Sequence, residues 1–72
     1  MNEKNRVQES RKFEAISRAE LARIAGLAER TIKRLEDGKN NTSQLTKDKI
    51  VKAFNGLEGK QRDYTHTYLF PD

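Results

Sequence analysis

Four charged residues lie within one stretch of six positions, at a spacing that would place them on the same side of a helix. Arg30 and Arg34 are four residues apart, and Lys33 and Glu29 flank them. An arginine guanidinium can donate two parallel hydrogen bonds to guanine O6 and N7, and a lysine ammonium can bind guanine or a phosphate. A charged helix face is more often simply solvated. The residue types nevertheless favour recognition of a nucleic acid, because the neighbouring sequence agrees with that interpretation.

The residues before this stretch predict another helix, which precedes the charged helix and is joined to it by a tight turn. Ser17 is expected to begin it, and Glu20 follows three residues later, at the spacing of a capping box. Gly26 is expected to end it, since glycine adopts the left-handed conformation of a helix end without steric cost. The positions that share its inner face are Leu21, Ala22 and Ala25.

The charged helix itself is predicted to run from Ala28 to Glu36. At about 100° per residue, Ala28, Ile32 and Leu35 fall on one side and should face inward. The two arginines fall on the opposite side together with Asp37. Neither helix of the pair can bury a core alone, so both require packing against further helices.

This pair of helices resembles the helix-turn-helix of the lambda-repressor-like family, of the Cro and xenobiotic-response-element type. The matching residues are Leu21-Ala22, Gly26-Leu27, Thr31-Ile32, Leu35-Glu36 and Gly38-Lys39. Residues 11–17 resemble the end of the family's first helix, residues 46–54 its fourth helix, and residues 69–71 a frequent ending. The resemblance covers nearly the whole chain. It implies an all-α bundle of four to five short helices with the charged helix in the DNA major groove.

The chain departs from the family pattern at two positions. The family usually has glutamine where this chain has Arg18, and serine or threonine where it has Ala28. Arg18 can contact a phosphate but cannot make the combined donor and acceptor bonds of glutamine. Ala28 provides no side-chain cap, which typically costs ~1 kcal/mol. Both departures affect the base contacts more than the fold.

Two sets of DNA contacts are therefore expected, one to base edges and one to phosphates. The expected base contacts are Ala28, Glu29, Arg30, Lys33 and Arg34. The expected phosphate contacts are Ser17, Arg18, Thr31, Lys39, Asn40 and Asn41. Double-stranded DNA is the expected partner, and no cofactor is expected.

Helices are also predicted on either side of the pair. The first is expected from about Glu3 or Arg6 to Ala15. Its few apolar anchors are Val7, Phe13 and Ile16. Residues 37–43 have the composition of a loop that ends the charged helix.

A fourth helix is expected from about Thr46 to Asn55. Thr46 is its expected cap, with Leu45 and Ile50 at the spacing of a hydrophobic staple. Ser43 is a competing cap, which would start the helix earlier. The apolar stripe of this helix is Ile50, Val51, Ala53, Phe54 and Leu57.

The C-terminal tail leaves two interpretations open. Residues 56–63 are expected to form a loop, and Thr65 is expected to cap a short fifth helix ended by Pro71. The aromatic residues that follow the loop either close the core of the protein or form a dimer contact, with core packing favoured for Leu69 and Phe70. The candidate dimer contacts are Tyr64, Tyr68 and Phe70. We treat residues 1–57 as the DNA-binding domain and residues 58–72 as a tail of the same domain.

Composition limits the function classes. The chain has 72 residues, 33% hydrophobic content, no cysteine and a net charge of +4, which favours one small domain that binds a polyanion. No apolar run approaches the roughly 20 residues of a membrane span, and the start has no signal-peptide pattern, so an intracellular, cytoplasmic protein without a membrane partner is expected. His66 is the only histidine, and no metal site or catalytic constellation is expected. An enzyme is therefore not expected.

The resemblance implies a small transcriptional regulator, a repressor that acts as a dimer on an operator with two half-sites. Two alternatives stay open. One is an antitoxin-like protein-binding module whose DNA binding is autoregulatory, and the other is an architectural DNA-binding partner of a recombinase.

Overall fold

Five α-helices and no strand form within residues 5–38 and 43–71, the part of the chain that a computed structural model describes. The helices are α1 (Val7–Phe13), α2 (Arg18–Ala25), α3 (Glu29–Glu36), α4 (Gln44–Asn55) and α5 (His66–Leu69). Helix α2 packs against α3 and α4, α1 packs against α3, and α5 packs against α4. The prediction of a small all-α bundle is confirmed.

Each helix contributes to one core. Among the described residues, the fully buried apolar side chains are Val7, Leu21, Ile32, Ile50, Phe54 and Leu69. The ring of Tyr64 completes the core, with its centroid 4.9 Å from that of Phe54. In so small a protein this shared core holds α2 and α3 in place, since neither helix could be stable alone.

Helix α2 has the ends that its sequence predicts. The Ser17 hydroxyl accepts a hydrogen bond from the Glu20 backbone N–H at 3.0 Å. Gly26 adopts φ +71°, and the N–H of Leu27 then donates to the carbonyl of Ala22 at 2.9 Å. The Glu20 carboxylate faces Arg23 instead of returning to the Ser17 N–H, so the predicted capping box is only half formed. Residues 26–28 make the turn that leads into α3.

Helix α1 is shorter than predicted. It ends at Phe13 because Ala15 adopts a left-handed conformation, φ +60°, which turns the chain before the predicted end. Phe13 is 56% exposed and is therefore not the anchor that the sequence suggests. Six positions after Val7, it lies about 120° away around the helix. The second buried residue of α1 is instead Ser10.

Helix α4 begins two residues before Thr46, and Ser43 is its cap. The Ser43 hydroxyl accepts from the backbone N–H of Thr46 at 3.2 Å, so the competing cap is the correct one. This start makes Leu45 the second residue of the helix, whereas a hydrophobic staple needs an apolar residue just before the cap. Leu45 is accordingly 65% exposed, and the predicted staple to Ile50 is wrong.

The tail folds back onto the bundle. Asn55 binds Tyr64 twice: its side-chain oxygen accepts from the Tyr64 N–H at 2.9 Å, and its amide donates to the Tyr64 carbonyl at 2.8 Å. Thr65 caps α5 as predicted, accepting from the Tyr68 N–H at 3.1 Å. The backbone N–H of Arg6 donates to the carbonyl of Leu69 at 2.8 Å, which joins the last helix to the start of the first.

Core packing is therefore the correct interpretation for part of the aromatic cluster. Tyr64 is 3% exposed, so it has no surface to offer a second protein copy, and its candidacy as a dimer contact is wrong. Leu69 is fully buried, as favoured. Tyr68 and Phe70 are half-buried and keep an accessible side.

Candidate nucleic-acid interface

Helix α3 has one buried side and one uncovered, charged side. Ile32 and Leu35 are 0% and 3% exposed, and they fasten the helix to the core. The exposed side chains are those of Glu29, Arg30, Lys33 and Arg34. The structure thus places these four predicted base-contact residues on one accessible surface, which we call the α3 face.

Ala28 does not point inward as predicted. It is the N-cap of α3, with an extended backbone (φ −77°, ψ 146°), and its side chain is exposed. The helical spacing that relates Ile32 to Leu35 does not extend to a residue whose backbone has left the helix. Its exposure is compatible with its predicted place among the base contacts.

Arg18, the first residue of α2, lies beside the α3 face across a shallow depression. The depression has a volume of about 320 Å³ and is lined by Arg18, Glu29, Arg30 and Lys33. Three cations and one carboxylate surround it, so the surface favours an anionic or strongly polar ligand.

A buried carboxylate holds Arg18 in position beside the depression. The side chain of Glu36 is 2% exposed and accepts from the Nε of Arg11 at 2.8 Å and from the Nε of Arg18 at 3.1 Å. Arg11 also donates to the carbonyl of Ile16 at 3.1 Å. One carboxylate thus connects α1, α2 and α3, and two guanidinium groups share it, which leaves an excess positive charge at the edge of the depression.

Sequence reasoning missed this ionic network. The sequence pattern gives Glu36 a place only at the end of the charged helix and in a Leu-Glu pair, and it gives Arg11 no role of its own. The available signal was an acidic residue directly after the buried Leu35, at the end of a helix rich in cations. Arg11 is 25 residues away in the chain, so no local pattern could pair the two.

The charged residues of the α3 face differ in their partners. The Nζ of Lys33 lies 3.1 Å from Asp37, and both side chains are partly exposed. The side chains of Arg30 and Glu29 make no hydrogen bond or ion pair with any other residue in 5–38 and 43–71.

The predicted phosphate contacts are only partly brought together. Arg18 lies at the depression, whereas the Ser17 hydroxyl is engaged in capping α2. Thr31 is half-buried on α3. Lys39, Asn40 and Asn41 lie outside the described residues.

A second depression, of about 350 Å³, lies between α4 and α5. It is lined by Gln44, Lys47, His66, Thr67 and Phe70. Here His66 Nε2 lies 2.6 Å from Asp48, and Lys47 lies 5.4 Å from the centre of the Phe70 ring. Nearby, the Tyr68 ring has the guanidinium groups of Arg62 and Arg6 at 3.9 and 4.7 Å. We call this region the α4–α5 end.

The comparisons with known proteins give no family assignment. No family model matches the chain, and no curated protein matches it significantly. Within residues 5–38 and 43–71, no helix has the length and apolar character needed to cross a membrane. The same residues contain no group of three side chains arranged to hold a metal ion.

Proposed function

We propose that this chain binds double-stranded DNA in a sequence-specific manner, with α3 in the major groove. The observation that carries the proposal is the α3 face itself: a helix fastened by Ile32 and Leu35 leaves its charged side uncovered, beside an arginine held by a buried carboxylate. Phosphates bind positive charge at such an edge, and base edges bind polar side chains on the exposed side of a helix.

The dimensions agree with this placement. An α-helix with its side chains is about 10–12 Å in diameter, which fits the major groove of about 12 Å, and the eight residues of α3 extend about 12 Å along it. The exposed side chains of α3 would therefore reach only a few base pairs. Arg18, at the start of α2, would contact the sugar–phosphate backbone at one side of the groove.

We further propose that the protein acts as a small transcriptional regulator, a repressor that occupies an operator as a dimer. One short helix reads too few base pairs to select one site among many in a genome. Two copies on half-sites about 34 Å apart would double the sequence that is read. Tyr68 and Phe70, both partly accessible, are the remaining candidates for contact between the copies.

Selection of duplexes from a random pool tests the proposal. The enriched sequence is then compared with its scrambled version, using the parent protein and the variants Arg30→Ala and Lys52→Ala. Lys52 is an exposed lysine of α4 outside the α3 face, so it controls for loss of one positive charge. We expect enrichment of one motif and a loss of specific affinity only in Arg30→Ala. An unenriched pool would overturn the proposal.

A further inference from the structure

The side chains around the α3 depression divide into two kinds. Arg18 and Lys33 are each held by a carboxylate of the same protein, Glu36 at 3.1 Å and Asp37 at 3.1 Å. The side chains of Arg30 and Glu29 have no hydrogen-bond or ion-pair partner within the described ranges. The four residues line one depression, so a single ligand can meet both kinds.

This difference suggests that the paired and the unpaired side chains bind different parts of a nucleic acid. A cation held by an internal carboxylate is a positioned charge, which suits a phosphate of fixed location. A side chain without an internal partner keeps its whole set of donors or acceptors for the ligand. Arg30 can therefore donate two parallel hydrogen bonds from its guanidinium to one base.

Glu29 is the acidic residue among the four that line the depression. Its carboxylate is repelled by every phosphate, so it lowers the affinity for any nucleic acid unless a donor meets it. In the major groove, cytosine offers the N4 amino donor, and glutamate accepts from that group. Adenine also has an amino group there, but its N7 acceptor lies alongside and would face the same carboxylate.

We propose that the α3 face reads G·C base pairs, with Arg30 donating to guanine O6 and N7 and Glu29 accepting from a cytosine N4 amino group. Arg18 and Lys33 hold the flanking phosphates. The inference rests on the proposed DNA binding, and it adds the class of sequence that is bound. It also gives Glu29 a role in selectivity: its charge lowers the affinity for DNA of any sequence, and its contact with cytosine adds a preference for one base pair.

The test uses the selected duplex, a set of duplexes with each base pair replaced in turn, and an unrelated duplex. Affinities are measured for the parent protein and for Glu29→Gln, Arg30→Ala and Lys33→Ala, with circular dichroism to verify helix content. Glutamine keeps the shape of glutamate but removes its charge, and Lys33→Ala is the matched control for a phosphate contact.

Glu29→Gln is expected to bind the unrelated duplex several-fold more tightly than the parent. It should also lose about 5- to 150-fold of discrimination at one C·G pair, the range of one good base contact, because the glutamine amide can also pair with adenine N6 and N7. Arg30→Ala should lose discrimination at a guanine. Lys33→Ala should weaken binding to all duplexes alike and flatten the salt dependence.

Two results would overturn the inference while leaving DNA binding intact. One is a selected motif without G·C pairs, and the other is unchanged discrimination in both Glu29→Gln and Arg30→Ala. If the parent protein binds no duplex, the proposed function fails and this inference fails with it.

Discussion

The α3 face and the α4–α5 end are both charged, and both carry a shallow depression. They differ in whether their charged side chains already have partners among the described residues. At the α4–α5 end, Lys47 lies over Phe70 and Arg62 over Tyr68, so these cations are already in contact with aromatic rings. On the α3 face, Arg30 and Glu29 have no such partner among the described residues. Positive charge alone therefore does not distinguish a ligand site from a structural contact. The distinction depends on whether each charged side chain already has a partner within the protein.

The two regions also differ in what holds them. Beneath the α3 face lies an ionic network centred on Glu36, which is 2% exposed. Near the α4–α5 end, Tyr64 donates its phenolic hydrogen to Glu14 at 2.5 Å and packs on Phe54. One region depends on charge pairing and the other mainly on aromatic burial, and substitutions can separate the two.

The largest effect is expected for Glu36→Ala. Removing this carboxylate leaves the Arg11 and Arg18 guanidinium groups facing each other, and breaking a buried ion pair by removing one partner typically costs about 3–5 kcal/mol. Arg18 is 33% exposed, so we expect the lower end, ~3 kcal/mol, measured by urea denaturation. Glu58→Ala, at an exposed position, is the control and should change the free energy of unfolding by less than about 0.5 kcal/mol. Equal effects in the two variants would refute a structural role for the network.

Arg30→Ala and Arg62→Ala compare the two ends directly. Arg30→Ala should reduce specific DNA affinity by about 1–3 kcal/mol and leave the melting temperature unchanged. Arg62→Ala should leave DNA affinity unchanged and reduce stability by about 0.5–1 kcal/mol, because it removes the cation that lies 3.9 Å from the Tyr68 ring. Binding titrations and thermal melting give both quantities. The distinction between the regions is lost if Arg62→Ala weakens DNA binding as much as Arg30→Ala does.

Gly26 and Ala15 both have a positive φ, and substitutions at the two positions are expected to act in opposite directions. Gly26 has φ +71° with open space at the position of a side chain, so Gly26→Ala should cost about 1–2 kcal/mol through backbone strain alone. Gly26→Val should cost more, because a β-branched residue is poorly tolerated there. Ala15 has φ +60°, so Ala15→Gly should stabilise the protein by about 0.5–1 kcal/mol. Chemical denaturation measures both, and changes of the same sign would contradict this account.

The effect of the Tyr64 titration on stability is confined to alkaline pH. Burial, and next the hydrogen bond to Glu14, raise the pKa of the Tyr64 phenol far above its usual value. In the unfolded chain a tyrosine loses its proton near pH 10, so the contribution of Tyr64 is complete below that pH and is lost as the pH rises further. Tyr64→Phe should be less stable at pH 7 by about 1 kcal/mol and should lose less stability between pH 9 and about 11. Tyr68→Phe is the control, and an unchanged pH dependence in Tyr64→Phe would contradict the assignment.

Several features that depend on neighbouring residues in the chain, although not the cap of α4, were predicted from the sequence. The cap of α2 at Ser17, its end at Gly26 and the cap of α5 at Thr65 each use atoms within a few residues, so composition and spacing are sufficient. The same holds for the buried and exposed sides of α3, which follow from the helical period. The charged α3 face was for this reason visible in the sequence.

Features that join distant parts of the chain were decided only by the tertiary structure. Tyr64 meets Glu14 across 50 residues, which makes it a core residue instead of a dimer contact. Phe13 and Leu45 are exposed although both are strongly apolar, because the two helices turn other residues toward the core. The partners of Arg18 and Lys33, and the lack of one for Arg30 within the described residues, likewise depend on how the helices pack. Local periodicity determines which side of a helix is buried, whereas packing determines which charges are already paired and which remain available to a ligand.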